Sequence, residues 1–257
     1  MNRTERKTDI MDMTSLRPNP KKKLDISTPY GDYFRFPVKT KLVYNGDNLN
    51  DIMDESVMPF IKEGDMIFIS EKIVAITQGR AFDIDDIKPS PLAKLLCKFV
   101  YKSPYGIGLG SPWTMELALR DVGAPKILFA AFCSAVTKPF GVRGVFYKIV
   151  GEKARAIDGP CDCTIPPYNH FAKLAPDKPD EAAAKLAEHT GCKVVVMDAN
   201  DIGREILGRS DKSIDIDFCK EVFRDNPLGQ GAQQTPVAII RRAENTADDE
   251  ICNEPVE

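Results

Sequence analysis

Three polar side chains that could hold a metal ion follow an apolar run near residue 195. The run VVVM at 194–197 is typical of a buried strand, and Asp198, Asn200 and Asp201 come directly after it. Two neighbouring carboxylates repel each other unless a cation lies between them, and hard divalent cations such as Mg²⁺ prefer carboxylate oxygens. In α/β proteins ligands also bind at the carboxyl ends of strands. The segment predicts a metal site, and the alternative is that Asp198 and Asn200 only form a turn and cap the next helix.

Gly203 and Arg204 begin the stretch GREILGRS, which matches the phosphate-binding pattern G-x-x-x-x-G-[KR]-S. A true loop of this class starts directly after its strand and consists of small, flexible residues. Residues 204–207 are large and predict a helix, so the sequence disfavours a P-loop here. Asn200, Gly203 and Arg204 are still candidates for contacts with a phosphate group.

Two further candidates stand at the ends of apolar segments. Lys72 follows a predicted strand at 66–69 and could serve as a point charge for phosphate, although most lysines at such positions are solvated. Asp158 ends the short segment AID before Gly159 and Pro160, and on its own this pattern is typical of a turn.

A polar loop at 225–234 precedes the last apolar strand. Its sequence DNPLGQGAQQ combines glycines, which permit close backbone approach, with several amide side chains that donate and accept hydrogen bonds. One interpretation is a substrate-binding loop that uses Asp225, Asn226, Gln230 and Gln233. The other is an ordinary surface loop.

The surrounding pattern predicts a mixed α/β domain, with two lobes as an option. Apolar runs indicate strands at 66–69, 127–132, 145–150, 193–197 and 236–242. Ser-Pro pairs predict helix starts at Ser90 and Ser111, and the first helix would bury Leu92, Leu95, Leu96 and Phe99. An alanine-rich helix is predicted at 177–190.

Composition excludes several classes of protein. The chain has 257 residues and a formal net charge of −3, so the global charge favours neither a nucleic-acid partner nor a membrane surface. Scattered cysteines and the lack of a long apolar segment predict a cytoplasmic protein with reduced thiols. Cys161, Cys163 and His170 lack zinc-site spacing. The predicted organisation is a disordered basic arm at 1–25, a single domain at 26–242, and an acidic tail at 243–257.

Four segments, taken in order, resemble the coenzyme F420-0:L-glutamate ligase (gamma-glutamyl ligase) family. They are EGDMIFISEKIVAITQGR at 63–80, AID at 156–158, LAPDKPDE at 174–181, and VVVMD at 194–198 followed by Gly203 and Arg204. The resemblance implies the fold of that family, an intertwined homodimer, and a ligase that adds glutamate through an amide bond to an acidic small molecule. It also implies GTP, or ATP in its place, and Mg²⁺ or Mn²⁺ as cofactors.

Site residues follow from the same resemblance. Asp158 and Asp198 match the metal-binding acids, with Asp201 as a possible substitute, while Lys72 and Arg204 match the lysine and arginine of the family motifs. The chain departs from those motifs at Ala75, Gln78 and 159–161, and it lacks the His-Gly pair expected before Asp158. These departures leave two alternatives: a non-catalytic nucleotide- or cofactor-binding protein on the same scaffold, or an interaction module that works through the charged tails.

Overall fold

A mixed sheet forms the centre of the larger lobe. The computed structural model describes residues 16–100, 108–162, 164–199, 203–246 and 251. Within them the strands of this sheet are β1 (Asp25–Thr28), β2 (Gly31–Val38), β3 (Met66–Ser70), β6 (Lys193–Ala199), β7 (Arg204–Arg209) and β8 (Val237–Arg242). Their order is β1-β2-β8-β3-β6-β7. β3 and β6 are parallel, whereas every other neighbouring pair is antiparallel.

The central strands β3, β6 and β8 are buried on both faces because apolar residues occupy both sides of the alternation. One face belongs to a core formed by Ile67, Ile69, Val194, Val196, Val237 and Ile239 together with residues from α1 (Leu49–Ser56), α2 (Glu71–Thr77) and α8 (Pro179–Thr190). The opposite face packs Phe68, Val195, Met197, Ala238 and Ile240 against α9 (Ile216–Val222). Strands covered on both faces read as continuous apolar runs, which explains the pattern seen in the sequence.

A smaller, mostly helical lobe has a core of its own. It contains α3 (Pro91–Leu96), α4 (Pro112–Val122), α5 (Ala124–Thr137), α6 (Val145–Val150), α7 (Glu152–Arg155) and a two-stranded sheet of β4 (Ala81–Asp83) and β5 (Phe171–Lys173). The predicted caps are present, since the hydroxyl oxygen of Ser90 accepts from the Ala93 amide and that of Ser111 from the Thr114 amide. The prediction of a mixed α/β protein is confirmed.

Four predictions of local structure are wrong. Residues 127–132 and 145–150 are helical instead of extended, because the first run continues into a 14-residue helix that begins with Pro125 in its first turn. Residues 204–207 form a strand instead of a helix, since they pair with β6. The α3 region does not bury the expected face: Leu95 is 53% exposed and Phe99 is 77% exposed. Apolar runs this short do not distinguish a helix from a strand without their neighbours.

The ends of the chain also differ from expectation. Leu16 and Leu24 are buried in the sheet core, and the Asn19 amide donates to the Pro227 carbonyl, so residues 16–25 are part of the fold rather than a disordered arm. The predicted arm at 1–15 lies outside the described residues, as does most of the acidic tail beyond 246.

The cysteines and the helix lengths bear on two further expectations from the sequence. Cys161 is disulfide-bonded, so the expectation of reduced thiols is wrong for that residue, while Cys97, Cys133, Cys192 and Cys219 are free. In the described part of the chain no helix has the length and apolar character needed to span a bilayer.

Candidate functional site

The junction of β3 and α2 supplies two charged side chains. Ser70 ends β3 and caps α2, with its hydroxyl oxygen accepting from the Lys72 amide at 3.3 Å. Glu71 and Lys72 therefore occupy the first turn of α2. Glu71 is buried, whereas the Lys72 side chain is 42% exposed. This placement points Lys72 toward the edge of the sheet where the strand ends.

Asp198 reaches the same edge from β6. In the parallel pair of β3 and β6, Ser70 lies opposite Met197, so Glu71 and Asp198 are the next residues along the two strands. The expectation that Asp198 stands at the carboxyl end of a buried strand is confirmed by this register. The alternative, that Asp198 serves only a turn, does not describe a residue that still pairs with Glu205 in the ladder.

Asp158 joins the group from the smaller lobe. It forms a bridge with Lys173, in which the Asp158 amide donates to the Lys173 carbonyl at 2.9 Å and the Lys173 amide donates back at 2.8 Å. Its carboxylate lies 3.3 Å from the ammonium of Lys72. Two residues that carried little weight separately in the sequence, Lys72 and Asp158, are therefore an ion pair between the lobes.

Two acids of this group, Glu71 and Asp198, have a raised pKa. Burial raises the pKa of Glu71 well above its usual value, and the charges of Asp158 and Asp198 raise it further. Burial also raises the pKa of Asp198, an effect that Lys72 opposes and Asp158 reinforces. Burial works against the charge of Lys72, yet Asp158, Glu71 and Asp198 together hold the pKa of this lysine above its usual value. The cluster has more negative charge than its environment favours, which is the condition that a bound cation relieves.

A cavity of about 170 Å³ opens beside the cluster. Its wall includes Lys72 and Lys173 on one side and the glycine-rich segment 229–231 on another. Thr40, Ser70 and Tyr168 add hydroxyl groups to the lining. Cations and donors thus outnumber acceptors among the polar side chains of the wall, which suits an anionic ligand.

The predicted substrate loop divides into two parts. Asp225 forms an ion pair with the buried Arg35, and Asn226 is itself buried with its amide donating to the Gly229 carbonyl at 3.1 Å, so both hold the loop in place. Gln230 lines the cavity as a ligand-binding residue would. Gln233 accepts from the Gly231 amide at 2.7 Å and supports the glycine segment.

Of the remaining phosphate and metal candidates, the structure describes Arg204 and Gly203. Arg204 begins β7, and its guanidinium donates to the Lys220 carbonyl at 3.2 Å, on α9. Gly203 directly precedes β7, while Asn200 and Asp201 lie outside the described residues. Gly208, the second glycine of the P-loop-like pattern, has a packing role, because a Cβ there would overlap backbone atoms of Pro179 and Asp180.

Another group of potential metal ligands lies on the two-stranded sheet. Asp83, Asp85 and His170 bring one ligand atom each within 4.8 Å of one another, and among the described residues this is the group that meets that spacing. Asp158 and Asp198 are not part of such a preassembled trio. Asp83, Asp85 and His170 are all at least partly exposed, and no other feature of the described residues around them indicates a bound ligand.

Sequence reasoning missed Glu71 and Lys173. Each had a signal: Glu71 directly precedes Lys72 at the end of an apolar strand, and Lys173 interrupts the otherwise apolar run FAKLA. Charged residues in apolar runs are informative when buried, because lysine and glutamate are rarely buried without a partner.

Comparisons with known proteins identify the family of this chain and two similar sequences. Residues 37–206 match the family model described as F420-0:Gamma-glutamyl ligase, a range that contains Lys72, Asp158 and Asp198 and ends before the loop at 225–234. The chain is 26% identical over 210 residues to the Coenzyme F420:L-glutamate ligase of Methanopyrus kandleri, which covers 81% of this chain and 68% of that protein. It is 32% identical over 78 residues to the Uncharacterized protein MJ1361 of Methanocaldococcus jannaschii, which covers 29% of this chain and 26% of that protein.

Proposed function

Because the chain belongs to the F420-0:gamma-glutamyl ligase family, it has an amino-acid ligase role, and we propose that it joins L-glutamate to an acidic small molecule with the help of a nucleoside triphosphate and a divalent metal ion. The observation that carries the proposal is the cluster of Glu71, Lys72, Asp158 and Asp198 beside a cavity lined with cations. GTP is the first nucleotide to test and ATP the second.

Amide formation from a carboxylate requires activation of that carboxylate. In the proposed reaction the terminal phosphoryl group of the nucleotide passes to the carboxylate and gives an acyl phosphate. The amine then attacks the acyl carbon, the C–N bond forms, and inorganic phosphate leaves with loss of a proton from nitrogen. The obstacle is charge, because a nucleotide polyphosphate and a carboxylate repel each other at contact distance.

Asp158 and Asp198 fit the role of metal ligands. Carboxylate oxygens are the ligands that Mg²⁺ and Mn²⁺ prefer, and the raised pKa of Asp198, which burial and the charge of Asp158 cause, supports a cation at this place. When bound, such a metal neutralises phosphate charge and orients the transferred group. We propose Asp201 as an additional ligand because it follows Asp198 closely in the sequence.

Lys72 and the cavity wall would bind the anionic parts of the substrates. The ammonium of Lys72 already lies against Asp158, so it can neutralise either that carboxylate or an incoming phosphate oxygen. The side-chain amide of Gln230, which lines the same cavity, offers a further donor. Arg204 could join them only by leaving the Lys220 carbonyl, which makes it the weakest of the assigned contacts.

Two of the departures from the family motifs, Ala75 and Gln78, leave the charged cluster intact. Ala75 is completely buried in α2 and is not among the residues that line the cavity, so a change there affects packing. The amide of Gln78 donates to the Asp177 carbonyl at 2.9 Å and its oxygen accepts from the Asp177 amide at 2.7 Å. A carboxylate could not make the first of these bonds, which explains a glutamine at this position. Neither change argues for the alternative of a non-catalytic binding protein.

Thermal unfolding with and without ligands tests the proposal. We expect the midpoint to rise when GTP or ATP and Mn²⁺ or Mg²⁺ are present together, since a ligand at 100 times its Kd adds about 2.7 kcal/mol to the free energy of unfolding. Asp198→Asn should abolish the metal-dependent part of this shift. Glu188→Gln removes one exposed carboxylate on α8 and serves as the matched control. If Asp198→Asn retains the full shift, the metal assignment is wrong.

We also propose that the active form is a homodimer, as the resemblance implies. The supporting observation is an exposed apolar stripe on α5 that includes Phe129 and Phe132. Large exposed apolar patches on a folded chain commonly mark association sites.

A further inference from the structure

Lys173 is a buried cation that the proposed function has not yet used. It ends β5, next to Asp158 in the backbone bridge, and only 4% of its surface is exposed. Its side chain lines the cavity beside Lys72.

Other buried cations in the described part of the chain have carboxylate partners. The guanidinium of Arg241 donates to the two carboxylate oxygens of Asp65 at 2.8 and 2.6 Å, and Arg35 is paired with Asp225. For the ammonium of Lys173 the structure shows neither a hydrogen bond nor an ion pair among the residues it describes. An unpaired buried ammonium is costly, and such groups normally gain a partner from a ligand or a metal-bound anion.

The surroundings of Lys173 specify the ligand's charge. Lys72 lies on the same wall, and its charge is compensated by Asp158 at 3.3 Å. Among the described residues that line the cavity there is no carboxylate, whereas Lys41, Lys72 and Lys173 are all cations. A cationic group would be repelled there, and a neutral apolar group would leave the Lys173 ammonium without a hydrogen-bond partner.

We propose that Lys173 binds an anionic oxygen group of a substrate, either the carboxylate of the amino acid or a phosphate of the nucleotide. This inference rests on the proposed function in naming those two sources, and both present the same chemistry to an ammonium. Lys173 is then a substrate-binding residue of the cavity, and Asp158 positions it through the backbone bridge. Lys72 is paired with Asp158, whereas the described residues provide no such carboxylate partner for the Lys173 ammonium.

Isothermal titration of the full-length chain with three probes tests the assignment. The probes are L-glutamate, GTP with Mn²⁺, and inorganic phosphate. Lys173→Met should weaken the probe that contacts the ammonium by about 10- to 100-fold, as expected for loss of one hydrogen bond to a charged group. Lys173→Arg should retain part of the affinity. Lys185→Met, which removes an exposed lysine of α8, should change each affinity less than about 2-fold.

The pattern across the probes identifies the source of the anion. Loss confined to L-glutamate assigns Lys173 to the carboxylate, whereas joint loss for GTP and inorganic phosphate assigns it to phosphate. Equal affinities of Lys173→Met and the parent for all three probes would overturn the inference. So would a parent chain that binds none of them.

A measurement without ligand separates binding from a structural role. Methionine is close to lysine in length and removes a buried ammonium for which the described residues provide no hydrogen bond, so Lys173→Met should raise the unfolding midpoint of the ligand-free chain. A lower midpoint would mean that the lysine supports the fold, and the inference would be wrong. If the parent shows the shift that needs both nucleotide and metal but Lys173→Met binds normally, the proposed function stands and this inference fails. If phosphate binds through Lys173 but the parent shows no shift that needs both nucleotide and metal, this inference stands and the proposed function fails.

Discussion

Glu71 is nearly completely buried, and it lies in the electric field of two other carboxylates. Burial is the largest cause of its raised pKa, followed by Asp158 and Asp198, while Lys72 and Lys173 oppose the shift. A carboxyl group with a higher pKa in the folded state binds its proton more tightly when the chain is folded. The free energy of unfolding must therefore fall as the pH rises above the ordinary value of 4.5 toward the folded pKa, and it stays lower above that.

Glu71→Gln should remove this fall because glutamine does not titrate. We expect the variant to exceed the parent in stability at about pH 8 and to match it near pH 4, where the carboxyl group is protonated in both states. Urea unfolding at several pH values checks the expectation, with Glu188→Gln as an exposed control. Saturating Mn²⁺ should reduce the difference at pH 8, since the metal compensates the same charge. A variant that is less stable than the parent at pH 8 would show that Glu71 mainly holds the two lysines.

The polar loop at 225–234 contains one residue that anchors it to the fold, Asp225, and one that lines the cavity, Gln230. Asp225 has a lowered pKa despite its partial burial, because Arg35 donates hydrogen bonds to it and adds its positive charge. Gln230, five residues later, lines the cavity. The sequence placed both in a substrate loop because their side chains are similarly polar. Their difference depends on Arg35, which comes from a strand 190 residues away and has no local signature.

At the level of elements, prediction from the sequence succeeded where a single local feature identified the strand or the helix start. Buried runs correctly indicated β3, β6 and β8, and Ser-Pro pairs correctly indicated the starts of α3 and α4. Prediction failed at 127–132, which belong to a 14-residue helix that packs against α6 in the smaller lobe. Asp158 and Asp198 were selected because they stand at the ends of apolar segments. Glu71 and Lys173 had weaker signals, each a charged residue beside or within an apolar run, and their burial is visible only in three dimensions.

Gly208 connects two elements by its lack of a side chain. It lies in β7 opposite Val196, directly against the start of α8, where a Cβ would overlap the Pro179 carbonyl and the Asp180 amide. Backbone atoms at a helix start cannot move as a flexible side chain can. This contact explains a glycine that in the sequence imitates part of a phosphate-binding loop.

We expect Gly208→Ala to lower the free energy of unfolding by about 1–3 kcal/mol, the range typical of overpacked sites. Gly231→Ala is the matched control, because its Cβ would meet only the flexible Gln233 side chain at 3.2 Å. Urea unfolding of both variants gives the comparison. Equal stabilities would show that α8 can shift away from the sheet without cost.

At the level of the whole molecule, the helical lobe differs from the rest in surface character. Leu128, Phe129, Phe132 and Val136 occupy one side of α5, and Phe132 is 66% exposed. A helix of 14 residues is too short to span a bilayer. The segment 122–151 contains Lys126, Lys138, Arg143 and Lys148 but no acidic residue. This segment is therefore positively charged, although the whole chain has a net charge of −3.

If the apolar stripe forms the interface between two copies of the chain, a charge introduced into the stripe should weaken the homodimer, and salt should change its stability. Phe132→Asp should produce monomers in sedimentation equilibrium, because it places a charge in the buried part of the contact. Tyr44→Asp, at an exposed aromatic residue of the larger lobe, should leave the mass unchanged. Symmetric pairing brings like charges near each other, so association should strengthen as salt rises and screens their repulsion. A parent chain that is monomeric at every salt concentration would contradict the homodimer, and a Phe132→Asp dimer of unchanged affinity would place its interface away from α5.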